Sequence, residues 1–238
     1  MRYALEGGKR LRARLCLAAV RAAGGDPDQA LPVAAALELV QAFSLVHDDL
    51  PALDDDAERR GRPSSHARFG EATAILAGDG LLNAAYLLVA ERLEAPAGVR
   101  GAVVAELARG VAGMIDGQYL DVVEGAESYE QLVRLHRLKT GALIAAAIGC
   151  GLLVAGLDEA DQRPYREFAA ELGLLFQIVD DLLDEGGEQP SYVTVFGAAR
   201  TRELAGEAHA RATALLAAAP GDTAELAELT ELIATRTA

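Results

Sequence analysis

The sequence predicts an all-α fold, one helical bundle occupying residues 1–238. Three observations predict it. Half of the residues are apolar, with alanine and leucine dominant and little enrichment in Val, Ile and Thr, a composition that favours helix over sheet. Apolar runs of helical length are separated by Gly and Pro breaks, at residues 24–27, 51, 186–187 and 220–221. No segment reads as a strand, and no linker divides the chain.

The elements follow in order. Gly7 and Gly8 lead into a helix with a basic start, Lys9, Arg10 and Arg12, that ends at Gly24. Cations at a helix start oppose the macrodipole, but they suit a diphosphate that can also use the free N–H groups. A second helix spans roughly 32–49, with Pro32 at its first position. Gln41, Ser44 and Asp48 form a polar stripe along it. Pro51 turns the chain into an acidic loop. Helices over 71–93, interrupted at Gly78-Asp79-Gly80, and over 99–123 follow. Ser128 with Gln131 forms a capping box that opens a long helix to about residue 155, carrying His136, Lys139 and Thr140. Helices over 158–185, 201–219 and 222–235 complete the chain.

The net charge of −14 argues against a nucleic-acid surface, which needs a basic face. Anionic substrates stay open, because bound metals invert the local sign. Cys16 and Cys150 are isolated in apolar helices and read as reduced thiols of a cytoplasmic protein. No signal-peptide pattern opens the sequence. No apolar run is expected to span a membrane; residues 143–157 are too few and contain Gly149 and Gly151.

Two acidic stretches carry the chemistry. Residues 41–60, QAFSLVHDDLPALDDDAERR, place Asp48, Asp49, Asp54, Asp55 and Asp56 within nine positions, followed by Arg59 and Arg60. Residues 174–185 place Gln177, Asp180, Asp181 and Asp184 on one helical face with no basic partner at i+4. Unpaired carboxylates repel; Mg²⁺ bridging them to a polyanion removes the conflict. A solvated acidic loop or stripe is the alternative for either stretch alone. Two such helices facing across a bundle would hold Mg²⁺ ions around one diphosphate, and metals and cations would spread the charge of a departing diphosphate. Of 22 Lys and Arg residues only Lys9 and Lys139 are lysines, positions where a compact ammonium could be required.

With GGKRLR (7–12), HDDLPALDDDAERRG (47–61), KTGA (139–142) and FQIVDDLLD (176–184) in this order, the chain resembles the trans-isoprenyl diphosphate synthases, the polyprenyl synthetase family. The resemblance implies a bundle around a central cavity, usually homodimeric. It implies head-to-tail condensation of isopentenyl diphosphate with an allylic diphosphate, dimethylallyl or geranyl. It assigns Mg²⁺ to Asp48, Asp49, Asp54, Asp180, Asp181 and Asp184, with about three ions bound together with diphosphate. Asp48, Asp54 and Asp180 are then the direct ligands. Lys9, Arg12, Gln41 and Arg60 match the isopentenyl diphosphate site. Arg59, Lys139, Thr140 and Gln177 match the allylic diphosphate and carbocation site. His47 and His66 read as structural. Phe43, with Ser44, falls on the cavity floor that limits chain growth, so the resemblance implies farnesyl diphosphate as product, with geranylgeranyl diphosphate as the alternative.

Two departures accompany the match. Most members carry a further helix ahead of residue 7, and a lysine-bearing lid after Asp184 where residues 185–197 here have no lysine. Segments belonging to a longer protein, or a truncation that weakens catalysis, would each account for this. A terpene cyclase would not need the GGKRLR segment. A non-catalytic synthase subunit would typically lose aspartates from one motif, and both are intact here.

Overall fold

The computed structural model describes residues 1–124, 128–184 and 191–236. Helix α1 (Leu11–Ala22) buries Leu15, Cys16, Ala19 and Val20. Its start differs from the expectation. Gly7, Gly8 and Arg10 all take positive φ, so Lys9 and Arg10 lie in a turn ahead of the helix. The N–H of Ala13 is donated to Glu38 Oε1 at 3.0 Å, so a protein carboxylate takes part of the expected anion-binding end.

Helix α2 (Leu31–Asp48) is the central wall, with Val33, Leu37, Val40 and Phe43 buried. After it comes a tight hairpin, β1 (Glu58–Arg59) with β2 (Arg62–Pro63), where only a loop was expected. Arg60 and Gly61 both have positive φ, which closes a two-residue turn of the hairpin type. A short α3 (Ser65–Phe69) leads to α4 (Glu71–Arg92). That helix runs unbroken through the anticipated interruption. Gly78 is a packing position instead: a Cβ there would lie 2.1 Å from His47 Nε2 on α2.

Helix α5 (Ala97–Tyr119) continues into a π-helical turn, Leu120–Glu124. The capping box forms as anticipated, with Gln131 N–H donated to Ser128 Oγ at 3.2 Å, and opens α6 (Tyr129–His136). A second π-helical turn, Arg137–Gly141, separates α6 from α7 (Ala142–Val154). Helix α8 (Glu159–Leu183) carries the second acidic stripe. Helix α9 (Tyr192–Ala218) starts earlier than anticipated and bends at Gly197. Helix α10 (Ala224–Ala234) closes against α1, α8 and α9. The expected lid segment falls at 185–190 outside the described residues.

Helices α2, α5, α7 and α8 enclose one core, in which α7 is buried on nearly every side. Against the sequence expectation, three helical stretches, Pro27–Asp48, Glu71–Arg92 and Tyr129–Val154, reach the length and apolar composition of a membrane span. Isolated charges within them, such as Glu38, Asp79 and Lys139, break each into shorter uncharged runs. In the first and third, half or more of the apolar window is buried in the bundle. In the second only 28% is, and Leu76 is 70% exposed.

Candidate functional site

A cavity of about 1340 Å³ opens between α1, α2, α5, α8 and the two π-helical turns. Of the residues marked in the sequence, Lys9, Arg12, Gln41, Phe43, Ser44, Asp48, Arg59, Arg60, Lys139, Thr140 and Asp180 line it. Asp49, Asp54, Gln177, Asp181 and Asp184 do not. Adjacent helical residues point about 100° apart, so paired aspartates cannot both face one cavity.

The paired aspartates divide their work accordingly. Asp48 faces the cavity, and burial pushes its carboxyl up to about 6 despite the opposing charge of Lys139. Asp49 is buried and accepts from Arg59 Nε at 2.8 Å, while Arg59 also pairs with Asp56. This holds the hairpin arginine against the end of α2. On α8, Asp180 lines the cavity and Asp181 turns inward. Asp181 accepts from Gln177 Nε2 at 2.8 Å and from the Tyr192 N–H at 2.7 Å. Burial raises the Asp181 carboxyl to about 6. Burial also raises Asp180, offset by Arg236 and Arg12. Asp184 caps the end of α8, and Asp54 is exposed, with its N–H donated to Asp48 O at 2.9 Å.

The π-helical turns set the opposite wall. Lys139 in one ion-pairs with Asp121 in the other. Thr140 Oγ1 donates to Gln177 Oε1 at 2.9 Å, tying that turn to α8. Gly117 permits this arrangement: a Cβ there would lie 2.1 Å from Lys139 N. π-Helical turns recur at functional sites because they redirect side chains that an α-helix would carry past. Arg60 packs on the Gly7–Gly8 turn, where a Cβ at Gly8 would meet its guanidinium at 2.9 Å. Burial lowers the Arg12 pKa to about 10, and its Nε has no hydrogen-bond partner among the described residues. His47 is held as the sequence suggests, with Nε2 3.1 Å from Ile75 O and its ring edge-on to Phe43.

Sequence reasoning missed two cavity-wall groups, Gln118 and Arg236, and Asp121 as the partner of Lys139; Arg10 of the basic helix start also lines the cavity. Arg236 pairs with Asp180 Oδ1 at 2.8 Å. No local pattern marks it, because it lies beyond α10 and 56 positions from its partner. Altogether seven Lys and Arg side chains and three carboxylates, Glu38, Asp48 and Asp180, line a cavity in a chain of net charge −14. Leu45, Met114, Ile115 and Val122 share the wall. Among the described residues no three His, Cys, Asp or Glu side chains converge closely enough to hold an ion unaided.

Helices packed around such a cavity, with an aspartate from each of two facing helices, define an isoprenoid-synthase type of bundle. A family model for polyprenyl synthetases matches residues 1–198. The chain belongs to that family. It is 48% identical over 197 residues to a farnesyl diphosphate synthase of Geobacillus stearothermophilus, covering 79% of this chain and 66% of that protein. It is 45% identical over 191 residues to a geranylgeranyl diphosphate synthase of Cyanophora paradoxa, covering 77% and 64%. The chain therefore spans about two thirds of the length of these curated relatives. In structure it matches a geranyltransferase from Legionella pneumophila with a TM-score of 0.92 at 36% identity, covering 99% of this chain and 85% of that one. An FPP/GFPP synthase from Zymomonas mobilis follows the same path, with a TM-score of 0.90 at 31% identity and coverage of 97% and 87%.

Proposed function

We propose that the protein is a Mg²⁺-dependent prenyltransferase that condenses isopentenyl diphosphate with dimethylallyl or geranyl diphosphate and stops at farnesyl diphosphate. One observation carries the reading. An acidic protein gathers seven cations against three carboxylates on the wall of a cavity that Phe43, Leu45, Met114, Ile115 and Val122 also line. That wall suits a ligand with a diphosphate head and a hydrocarbon tail. The names of the relatives support the same substrate class.

The residues fit Mg²⁺. Asp48 and Asp180 are cavity-wall carboxylates whose pKa burial raises, and they offer hard oxygen donors. Asp48, Asp54 and Asp180 would hold the ions, with diphosphate oxygens completing the coordination. Asp49 and Asp181, engaged by Arg59, Gln177 and Tyr192, keep the direct ligands in place. When bound, Mg²⁺ neutralises charge on the departing diphosphate.

The chain's own groups do the rest. Arg59 and Lys139 orient the allylic diphosphate and balance its charge as the C1–O bond breaks, the electron pair leaving with the diphosphate. Lys9, Arg12, Gln41 and Arg60 hold the isopentenyl diphosphate. Gln177, behind the wall, holds Thr140 through its carbonyl, and the Thr140 hydroxyl oxygen presents its dipole to the allylic cation. The isopentenyl double bond closes a new C–C bond to C1, and the released diphosphate takes the proton lost from the adjacent carbon. Apolar walls keep water from the cation.

The exposed apolar face of α4, with Ile75, Leu76 and Leu87, supports a homodimer formed through that helix. A cytoplasmic location accords with the unpaired thiols of Cys16 and Cys150. Purified protein given isopentenyl diphosphate, geranyl diphosphate and Mg²⁺ should make farnesyl diphosphate and elute in light scattering at twice the chain mass. Failure to consume isopentenyl diphosphate would refute the reading. In the same assay Phe43→Ala should shift products toward longer chains, because Phe43 is a buried cavity-wall aromatic five residues before Asp48. Unchanged product length would remove Phe43 from the floor.

A further inference from the structure

Arg236 is tied to the cavity from several directions. It follows α10, which is anchored through the buried Leu226, Leu229 and Ile233. Its Nη2 lies 2.8 Å from Asp180 Oδ1 and donates to Phe176 O at 2.7 Å. Its guanidinium carbon stands 4.0 Å over the Phe176 ring. The side chain is only 14% exposed, and its Nε has no hydrogen-bond partner among the described residues. A cation packed this closely is more than a solvated rim charge, whose contribution would be small. Asp180 is thus met by Arg236 directly and by the field of buried Arg12, with Asp184 as the opposing like charge.

We infer that Arg236 is the resident counter-cation of Asp180, a positioning residue that stands in for the metal and must be displaced when the metal binds. This rests on the proposed reading of Asp180 as a metal ligand. Arg236 holds Oδ1, one of the two oxygens that Asp180 can offer to an ion. Loading is therefore an exchange of one cation for another. The unloaded carboxylate, partly exposed at the cavity wall, thus keeps a counter-charge beside it. The consequence has a definite sign. Removing Arg236 destabilises the unloaded protein and strengthens metal binding, because the metal then has no competitor. If Arg236 merely braced Asp180, its loss would weaken metal binding.

The test uses Mn²⁺ alone, titrated into wild-type and Arg236→Gln protein and followed by electron paramagnetic resonance. Leaving out diphosphate removes any direct contact between that ligand and Arg236. Arg236→Gln should bind Mn²⁺ on the order of 5–20-fold more tightly, within the range of ordinary coupling between two sites. It should also melt lower without metal and gain more thermal stability than wild type on adding Mg²⁺. Arg236→Lys, which keeps the charge without the guanidinium stacked on Phe176, should fall between them, and it carries the test if the Gln variant does not fold. Equal or weaker Mn²⁺ binding in the variants overturns the inference. Wild-type turnover with isopentenyl and geranyl diphosphates reports separately on the enzymatic reading.

Discussion

Asp180→Ala should reduce turnover with isopentenyl and geranyl diphosphates by about 10²–10³-fold, the cost of losing a group that would hold a cation against the charge developing on the diphosphate. The deficit should fall on kcat more than on the KM for isopentenyl diphosphate, because Lys9, Arg12 and Arg60 remain in the wall. The fold should survive. Asp180 is partly exposed at the cavity wall, and Asp181 keeps its bonds to Gln177 and the Tyr192 N–H. Asp181→Ala therefore makes the informative contrast. It should unfold at lower temperature as well as lose activity, since it strands a buried backbone N–H and the Gln177 carboxamide. Steady-state kinetics alongside thermal melts of both variants check the pair, and near-normal turnover of Asp180→Ala would sink the mechanism.

Gly117→Ala is the second large effect, and it acts from outside the reacting groups. The added methyl would fall 2.1 Å from Lys139 N and 2.4 Å from its Cα, and a backbone cannot swing aside as a side-chain tip can. Either α5 moves away from the π-helical turn at Arg137–Gly141 or the turn shifts. Both outcomes displace Lys139 from Asp121 and Thr140 from Gln177. Overpacking of this kind costs about 1–3 kcal/mol or more. A displacement near 1 Å at a positioned cation costs turnover on the order of 10²-fold. Gly113→Ala is the control. Its Cβ would press on the Ala142 side chain at 2.7 Å, so it should destabilise without moving Lys139. If both variants lose stability alike and neither loses kcat, the seat at Gly117 has no part in holding the site.

These contrasts mark how far the sequence could be read. The helices were legible because apolar runs of helical length end at Gly and Pro, and the Ser128–Gln131 box formed as its spacing implied. Lys9, Asp48, Arg59, Lys139 and Asp180, which line the cavity, stand out in the sequence because their types and order match a chemistry of phosphates and hard cations. The different roles of Asp48 and Asp49, and of Asp180 and Asp181, follow from the 100° step between neighbours on a helix, but the inward partners, Arg59 and the Tyr192 N–H, become visible only once the chain folds back. The π-helical turns were not legible. One extra residue in a turn leaves the apolar pattern on either side nearly unchanged, so 99–123 and 129–155 each read as uninterrupted. Arg236 was beyond reach for another reason: its contact is purely tertiary.

The scarcity of lysine also gives the protein an unusual surface chemistry. Its two ε-amines, Lys9 and Lys139, line the same cavity, while every other basic side chain is an arginine or a histidine. Arginine stays protonated and is inert to acylating reagents at neutral pH. Within residues 1–238 an amine-directed acylating probe therefore finds lysine targets only in the cavity wall. Covalent labelling of this protein amounts to footprinting the cavity, and any ligand that fills it would register as protection from modification.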